Sequence, residues 1–230
     1  MKNIIMTLFI TLNLFAVDLV KLPLLGVDVS HTYLDGKIEN ITIQREVHEV
    51  CMSIPVNVDN FQSANLASKD VDSKCKKTFV TTKGLIQPFQ FHKEIKTIAE
   101  LEVLDFILNK SSKNPAKYIL VDSRKSDWFN AGTIPSAINI PYDELEYDED
   151  FEMEFERAYK NLGVKILGKN KYDFKNAKEL VLFCNGAWCP QSTFAIENLI
   201  KIGYPEEKIS WYRGGMYSWT MLNLTTSDNN

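Results

Sequence analysis

The sequence has few histidines, few cysteines and no basic stretch. Its 26 Lys and Arg residues are outnumbered by 30 Asp and Glu residues, so the net charge is −4. Nucleic-acid binding needs clustered Lys and Arg side chains, and their absence excludes DNA and RNA as expected partners. The three histidines and four cysteines are widely spaced, which predicts no metal site and no other cofactor.

The first 16 residues have the pattern of a signal peptide. Lys2 precedes an uncharged, mostly apolar run over residues 4–16, which is too short to span a bilayer comfortably. Cleavage after Ala16 would give an exported protein, periplasmic or extracellular, with no membrane span in the mature chain. Because Leu14 is large for its place before the cleavage point, an uncleaved anchor is the alternative.

Residues 17–90 form a β-rich N-terminal region that contains two of the four cysteines. In an exported protein, a structural disulfide between Cys51 and Cys75 is expected. Such a bridge would add about 3 kcal/mol of stability through the entropy of the unfolded chain. A metal site built from His48, Cys51 and Cys75 is the alternative, but no second paired motif accompanies these residues.

Residues 91–225 alternate between helical and strand patterns, and residues 226–230 are predicted to be a disordered tail. A helix is predicted from the spacing of four apolar residues, and a buried strand over 118–121 follows it. Such alternation indicates an α/β fold, in which a parallel sheet is covered by helices on both faces. The four apolar residues are Ile98, Leu101, Leu104 and Leu108.

A strongly acidic segment over residues 143–156 carries nine Asp and Glu residues, interrupted by Leu145, Phe151, Met153 and Phe155. We interpret it as a solvated helix or loop that a few apolar side chains anchor. A docking face for a basic partner is the alternative.

The stretch LVLFCNGAWCPQS, residues 180–192, places Cys184 between a strand and a helix. The apolar run before Cys184 predicts a buried strand, and an apolar stripe after Pro190 predicts a helix. The carboxyl end of a strand in such folds is where ligands and chemistry are found. Unpaired N–H groups at a helix N-terminus stabilise a thiolate or persulfide and lower the thiol pKa. A small, unreactive buried residue is the alternative for Cys184.

Cys189 lies in the same loop, directly before Pro190. Proline suits the first helical position, so Cys189 is predicted to be the helix N-cap. A thiol there could form a disulfide with Cys184 or resolve a persulfide on it. An unreactive packed thiol is the alternative.

Three matches in order resemble the rhodanese-like domain family, over roughly residues 91–224. The first is DSRKSDWFNAGTIPSAIN, residues 122–139, which departs from the family pattern at Thr133 and Ser136. The second is Cys184 with its loop and helix. The third is WYRGGMYSW, residues 211–219, which is similar to the family's Gly-Gly-x-x-x-Trp.

The resemblance implies a rhodanese-like sheet of about five parallel strands flanked by helices. It also implies that Cys184 carries transferred sulfur as a persulfide, with a cradle of main-chain N–H groups from the four residues that follow it. Asp122 and Arg124 match the family's Asp-x-Arg pair, and we interpret them as supporting residues that tether the loops. The cradle residues are Asn185, Gly186, Ala187 and Trp188.

The loop departs from the family in its charge, because no Arg or Lys lies between residues 184 and 200. Many members carry an arginine where Cys189 stands, and the related cysteine phosphatases need one where Pro190 stands. A phosphate dianion needs the bidentate guanidinium, so a phosphatase is excluded. Thiosulfate is also a weaker candidate donor, because main-chain N–H groups alone would meet its negative charge. Arg213 could supply the missing positive charge, or it could be an ordinary surface residue.

Three functions follow from these observations. The first is an exported sulfurtransferase that moves sulfur from a small sulfane-sulfur donor to a thiol or cyanide-type acceptor, which could be a protein. The second is a thiol–disulfide or polysulfide redox protein that uses Cys184 and Cys189. The third is a non-catalytic rhodanese-like binding module.

Overall fold

The computed structural model describes residues 19–21, 26–44, 46–48, 72, 74 and 87–227. The predicted signal peptide and the predicted Cys51–Cys75 disulfide lie outside the described residues. Within these ranges, no helix has the length and apolar character that crossing a membrane requires.

Eleven strands and five α-helices make up the described parts of the chain. The strands are β1 (Leu19–Lys21), β2 (Val27–Thr32), β3 (Ile38–Ile43), β4 (Glu46–His48), β5 (Lys96–Ile98), β6 (Tyr118–Asp122), β7 (Ile138–Asn139), β8 (Lys165–Gly168), β9 (Lys171–Asp173), β10 (Glu179–Phe183) and β11 (Ile209–Tyr212). The helices are α1 (Glu100–Phe106), α2 (Ser126–Asn130), α3 (Glu152–Asn161), α4 (Gln191–Lys201) and α5 (Gly215–Met221), and a π-helix (Ile107–Ser111) continues α1.

A five-stranded parallel sheet is the centre of the molecule, with the strand order β5-β11-β10-β6-β7. β10 is the middle strand, and Phe183 at its end is level with Asp122 of β6 and Tyr212 of β11. The carboxyl ends of these three strands therefore meet at one edge of the sheet, where the chain leads into Cys184. This arrangement confirms the predicted α/β fold with its parallel sheet.

Alternate residues of the strands supply two separate cores, one on each face of the sheet. One face packs against α3 and α4, with Leu180, Leu182 and Trp211 among its buried residues. The other face packs against α1, the π-helix and α5, with Val181 and Phe183 among its buried residues. Because both faces are covered, β6 and β10 carry continuous apolar runs inside their polar end residues, Asp122 and Glu179.

The N-terminal region contributes two antiparallel pairs, β1 with β4 and β2 with β3. In the β2–β3 hairpin, Val27, Val29 and Ile43 are buried in the core that α1 and α5 share. The predicted β-rich N-terminal region is thus present, and its hairpin packs on the part of the chain that contains the parallel sheet.

The acidic segment forms two short 3-10 turns that lead into α3. Leu145 and Phe155 are buried and anchor it, whereas Phe151 and Met153 are exposed. Only part of the expected apolar anchoring is therefore observed.

Candidate active site

Cys184 lies at the end of the central strand, where the chain leaves the sheet and turns toward α4. It is 2% exposed, and Cys189 in the same loop is 6% exposed. α4 begins at Gln191, with Pro190 as its N-cap. The helix therefore starts one residue later than predicted, because Pro190 takes the capping position that was expected for Cys189.

A disulfide joins Cys184 and Cys189 across the loop. Their Cα atoms are 6.2 Å apart, which lies in the usual range for bridged cysteines. Both cysteines are buried, and their sulfurs lie beside Gln191 at the start of α4. The structure thus brings together the two cysteines that the sequence placed in one loop.

The last helix holds the loop by its main chain. The N–H of Met216 donates to the carbonyl of Cys184 at 3.0 Å, and the N–H of Tyr217 donates to that of Asn185 at 2.8 Å. A trans peptide points its N–H opposite to its C=O, so the N–H groups of Asn185 and Gly186 face away from α5. The loop's hydrogen bonds within the described residues leave these two N–H groups without an acceptor. Both N–H groups belong to the predicted cradle.

Two glycines make this close approach of loop and helix feasible. Gly215 has φ +55°, and a Cβ there would overlap the carbonyl of Cys184. Gly186 lies beneath the indole of Trp188, where a Cβ would be 2.8 Å from the ring. Trp188 in turn packs edge-on against Tyr217, with ring centroids 5.0 Å apart.

Asp122 and Arg124 form a fully buried ion pair at the end of β6. Arg124 Nη2 donates to Asp122 Oδ2 at 2.6 Å, and its Nε donates to Oδ1 at 2.9 Å. Thr133, one of the departures from the family pattern, adds a hydroxyl bond to Oδ2 at 2.7 Å. Arg124 Nη1 also donates to Asn185 Oδ1 at 3.2 Å. The pair therefore tethers the Cys184 loop through its first residue, while its charge is neutralised internally.

Arg213 contacts the segment over residues 87–90, which runs across the loop. Its Nη2 donates to the carbonyl of Gln87 at 2.7 Å, and its Nε donates to that of Pro88 at 2.8 Å. The guanidinium lies over the Phe89 ring, 5.0 Å from the centroid. Gln87 also donates its own N–H to the carbonyl of Ala187 at 2.7 Å. Among the described residues, Arg213 has no hydrogen bond to either sulfur.

Sequence reasoning missed two residues at this site, Gln87 and Gln191. Gln191 lies beside both sulfurs, with Oε1 3.6 Å from Cys184 Sγ and 3.7 Å from Cys189 Sγ. Its position at the start of α4 was a signal, because first-turn side chains lie next to the loop before the helix. Gln87 comes from the segment before the parallel sheet, and nothing in its local sequence indicates where it packs.

The parallel sheet and the cysteine loop at its central strand define an α/β protein with a sulfur-bearing site at a strand end. The profile of the rhodanese-like domain family matches residues 105–222. The chain belongs to the rhodanese-like domain family.

Solved structures with a similar fold come from several organisms. The BH2092 protein from Bacillus halodurans is 21% identical over 58% of this chain and 77% of its own, with a TM-score of 0.39. The single-domain sulfurtransferase RDL2 from Saccharomyces cerevisiae is 22% identical over 56% of this chain and 91% of its own, with a TM-score of 0.38. The As-Sb reductase from Leishmania major is 23% identical over 55% of this chain and 78% of its own, with a TM-score of 0.36. No curated protein matches the sequence.

Proposed function

We propose that the protein is a sulfurtransferase that carries sulfane sulfur as a persulfide on Cys184. The observation that carries this proposal is the place of Cys184, at the end of the central strand in a loop whose N–H groups face away from α5. Membership of the rhodanese-like family supports the same assignment. Asn185, Gly186, Ala187 and Trp188 would cradle the charged sulfur with main-chain N–H groups, as an oxyanion hole does for oxygen.

The reaction needs the reduced loop. The Cys184 thiolate attacks the outer sulfur of a sulfane donor, the donor's S–S bond breaks, and the remainder of the donor leaves as an anion. The outer sulfur is now bonded to Cys184. A thiolate or cyanide acceptor then attacks that sulfur, the Cys184–sulfur bond breaks, and the Cys184 thiolate is restored. The acceptor is a small thiol or a protein thiol.

The test is a sulfur-transfer assay on reduced Cys184→Ser and Cys189→Ser proteins. A serine at 184 removes the nucleophile, so activity should fall to background. The Cys189→Ser protein should still transfer sulfur to an external thiol. Full activity in Cys184→Ser together with loss in Cys189→Ser would refute the assignment.

The Cys184–Cys189 disulfide favours a second function, the reduction of persulfide or polysulfide. In this reaction the Cys189 thiolate attacks Cys184 Sγ of the persulfide, the bond to the outer sulfur breaks, and hydrosulfide leaves. The product is the observed disulfide, which an external dithiol reduces by exchange. This function predicts one hydrosulfide released per loaded protein in the absence of any acceptor. Release that continues unchanged in the Cys189→Ser protein would exclude it.

We also propose that the protein acts after export, because its first 16 residues have the signal-peptide pattern. N-terminal sequencing of the protein from a secreting host should begin after Ala16. A chain that starts at Met1 and stays in the cytoplasm would contradict export without affecting the sulfur chemistry.

A further inference from the structure

Gln191 is placed to interact with either sulfur of the loop. Its Oε1 is 3.6 Å from Cys184 Sγ and 3.7 Å from Cys189 Sγ, so the two distances are nearly equal. Within the described part of the chain, no other side chain makes a polar contact with either sulfur. Gln191 is the first residue of α4, an 11-residue helix. The helix therefore holds the Gln191 Cα at its N-terminus, next to the loop.

A side-chain amide can form a hydrogen bond with a thiol and also with a thiolate. The carbonyl oxygen accepts from a thiol, and rotation of the terminal group brings the NH₂ to the same place, where it donates to a thiolate or persulfide. A disulfide sulfur offers no proton to Oε1. The amide therefore gains a strong hydrogen bond only when the loop is reduced and a sulfur carries charge.

The cations nearest the loop are engaged elsewhere. Arg124 is paired with Asp122 and with the carbonyl of Gly132. Arg213 donates to main-chain carbonyls of the segment over residues 87–90. Since no Lys or Arg occurs between residues 184 and 200, side-chain stabilisation of a sulfur anion depends on a neutral group.

We propose that Gln191 is a catalytic residue that donates a hydrogen bond to the charged sulfur on Cys184, and that this neutral donor selects sulfur donors of low charge. Organic persulfides would be used in preference to thiosulfate. This inference rests on the proposed sulfurtransferase function. A dianion that approaches a thiolate without a compensating cation is repelled, whereas a neutral or singly charged persulfide meets little repulsion.

The first experiment measures the pKa of Cys184 in the reduced Cys189→Ser protein, from the rate of iodoacetamide alkylation as a function of pH. Gln191→Leu has a similar volume and no donor, so it should raise the pKa of Cys184 by about one unit. Gln191→Glu should raise it further, because a carboxylate opposes the thiolate. The matched control is Asn198→Leu, which removes an amide from the same helix away from the loop and should leave the pKa unchanged.

An unchanged pKa in both Gln191 variants would overturn the proposed hydrogen bond. If the leucine variant does not fold, Gln191→Asn replaces it, since the shorter amide cannot reach both sulfurs and should also raise the pKa. Alkylation requires no sulfur transfer. A shifted pKa in a protein without transferase activity would therefore refute the proposed function and leave the hydrogen bond standing.

The second experiment compares 2-hydroxyethyl persulfide, which carries at most one negative charge, with thiosulfate as donors to the reduced protein. The persulfide should give the higher kcat/KM. Gln191→Lys, which introduces a cation beside Cys184, should raise kcat/KM for thiosulfate at least tenfold relative to that for the persulfide. Faster turnover of thiosulfate by the unmodified protein, or an unchanged ratio in Gln191→Lys, would refute the proposed selection by charge.

Discussion

The guanidinium of Arg213 donates to the main-chain carbonyl of Gln87, with Nη2···O at 2.7 Å. Gln87 in turn donates its N–H to the carbonyl of Ala187 in the Cys184 loop. The segment before the parallel sheet is thus fixed to the loop on one side and to the end of β11 on the other. Arg213 therefore holds the segment against the end of β11, and we call this contact the Arg213 clamp.

Replacing Arg213 should loosen this contact. Arg213→Gln leaves a shorter, uncharged donor that cannot reach both carbonyls, so the two disulfide sulfurs should become more accessible. We expect faster reduction of the Cys184–Cys189 disulfide by dithiothreitol, by about threefold to tenfold, and a loss of about 1–2 kcal/mol in the free energy of unfolding. Stopped-flow reduction and urea unfolding measure these effects. Unchanged reduction kinetics would show that the clamp does not control access.

The Asp122–Arg124 pair should be far more sensitive to substitution than an exposed ion pair. Asp122→Asn leaves the guanidinium buried without its counter-ion, which typically costs about 3–5 kcal/mol. The matched control is Asp143→Asn, which breaks the half-exposed pair with Lys125 and should cost less than about 1 kcal/mol. Urea unfolding measures both. Equal costs would contradict the tethering role of the buried pair.

Gly215 should not tolerate a side chain. Gly215→Ala combines an unfavourable backbone angle with overlap against the carbonyl of Cys184 and close contact with the main-chain nitrogen of Gly186. The loop must move, so we expect a destabilisation of about 3 kcal/mol or more and reduced sulfur transfer. Gly36→Ala is the matched control, since its φ is +86° but nothing lies within 4 Å of the added Cβ. It should cost only about 1 kcal/mol and leave activity unchanged. Thermal melting and the transfer assay together make the comparison.

Stability should decrease at mildly acidic pH because of His31. Burial lowers the pKa of His31, although Glu39 opposes this effect. Its Nδ1 also accepts the N–H of Ser136 at 3.2 Å, which a protonated ring cannot do. The unfolded chain therefore binds this proton more readily than the folded protein. Stability should fall as the pH drops below about 6.5, the ordinary histidine value.

Melting temperatures between pH 7.5 and 5 test this prediction. The decrease should be smaller in His31→Asn, because Asn keeps an acceptor for Ser136 and does not titrate. His92→Asn is the control, since the His92 side chain is partly exposed and contacts Glu206, with Nδ1 2.7 Å from Oε2. If His31→Asn loses stability with pH as steeply as the unmodified protein, His31 is not the responsible group.

Much of the fold could be predicted from local patterns. The apolar run ending at Phe183 is long enough for one strand, and its uninterrupted character indicates burial on both faces. The predicted α4 stripe is present, with Ala195, Ile196 and Leu199 buried and Ile200 partly buried. The order of these elements identified the family because three motifs occurred in sequence.

The first helix shows where such reasoning fails. Its predicted face was right only at Leu104, which is buried, because Ile98 belongs to β5 and Leu101 is 74% exposed. The buried residues include Val103 and Ile107. A π-helix after Phe106 changes the number of residues per turn, so a spacing based on 3.6 residues fails at Leu108, which is exposed.

The contacts around the site could not be read from the sequence, because they join distant parts of the chain. Gln87 meets Ala187 across the loop, and Asn185 meets Arg124 from a different strand. The residues involved are polar and carry no periodicity. Pairs of this kind depend on how the strand ends are arranged in the sheet, which only the folded structure gives.

The intact mass of the protein after treatment with an organic persulfide tests the central claim most directly. The reduced Cys189→Ser protein should gain the mass of one sulfur atom, and peptide mapping should place that sulfur on Cys184. Addition of excess thiol should remove it. The same treatment should leave the mass of Cys184→Ser unchanged. Sulfur that accumulates on Cys189 in the Cys184→Ser protein, or no gain in the Cys189→Ser protein, would contradict the account.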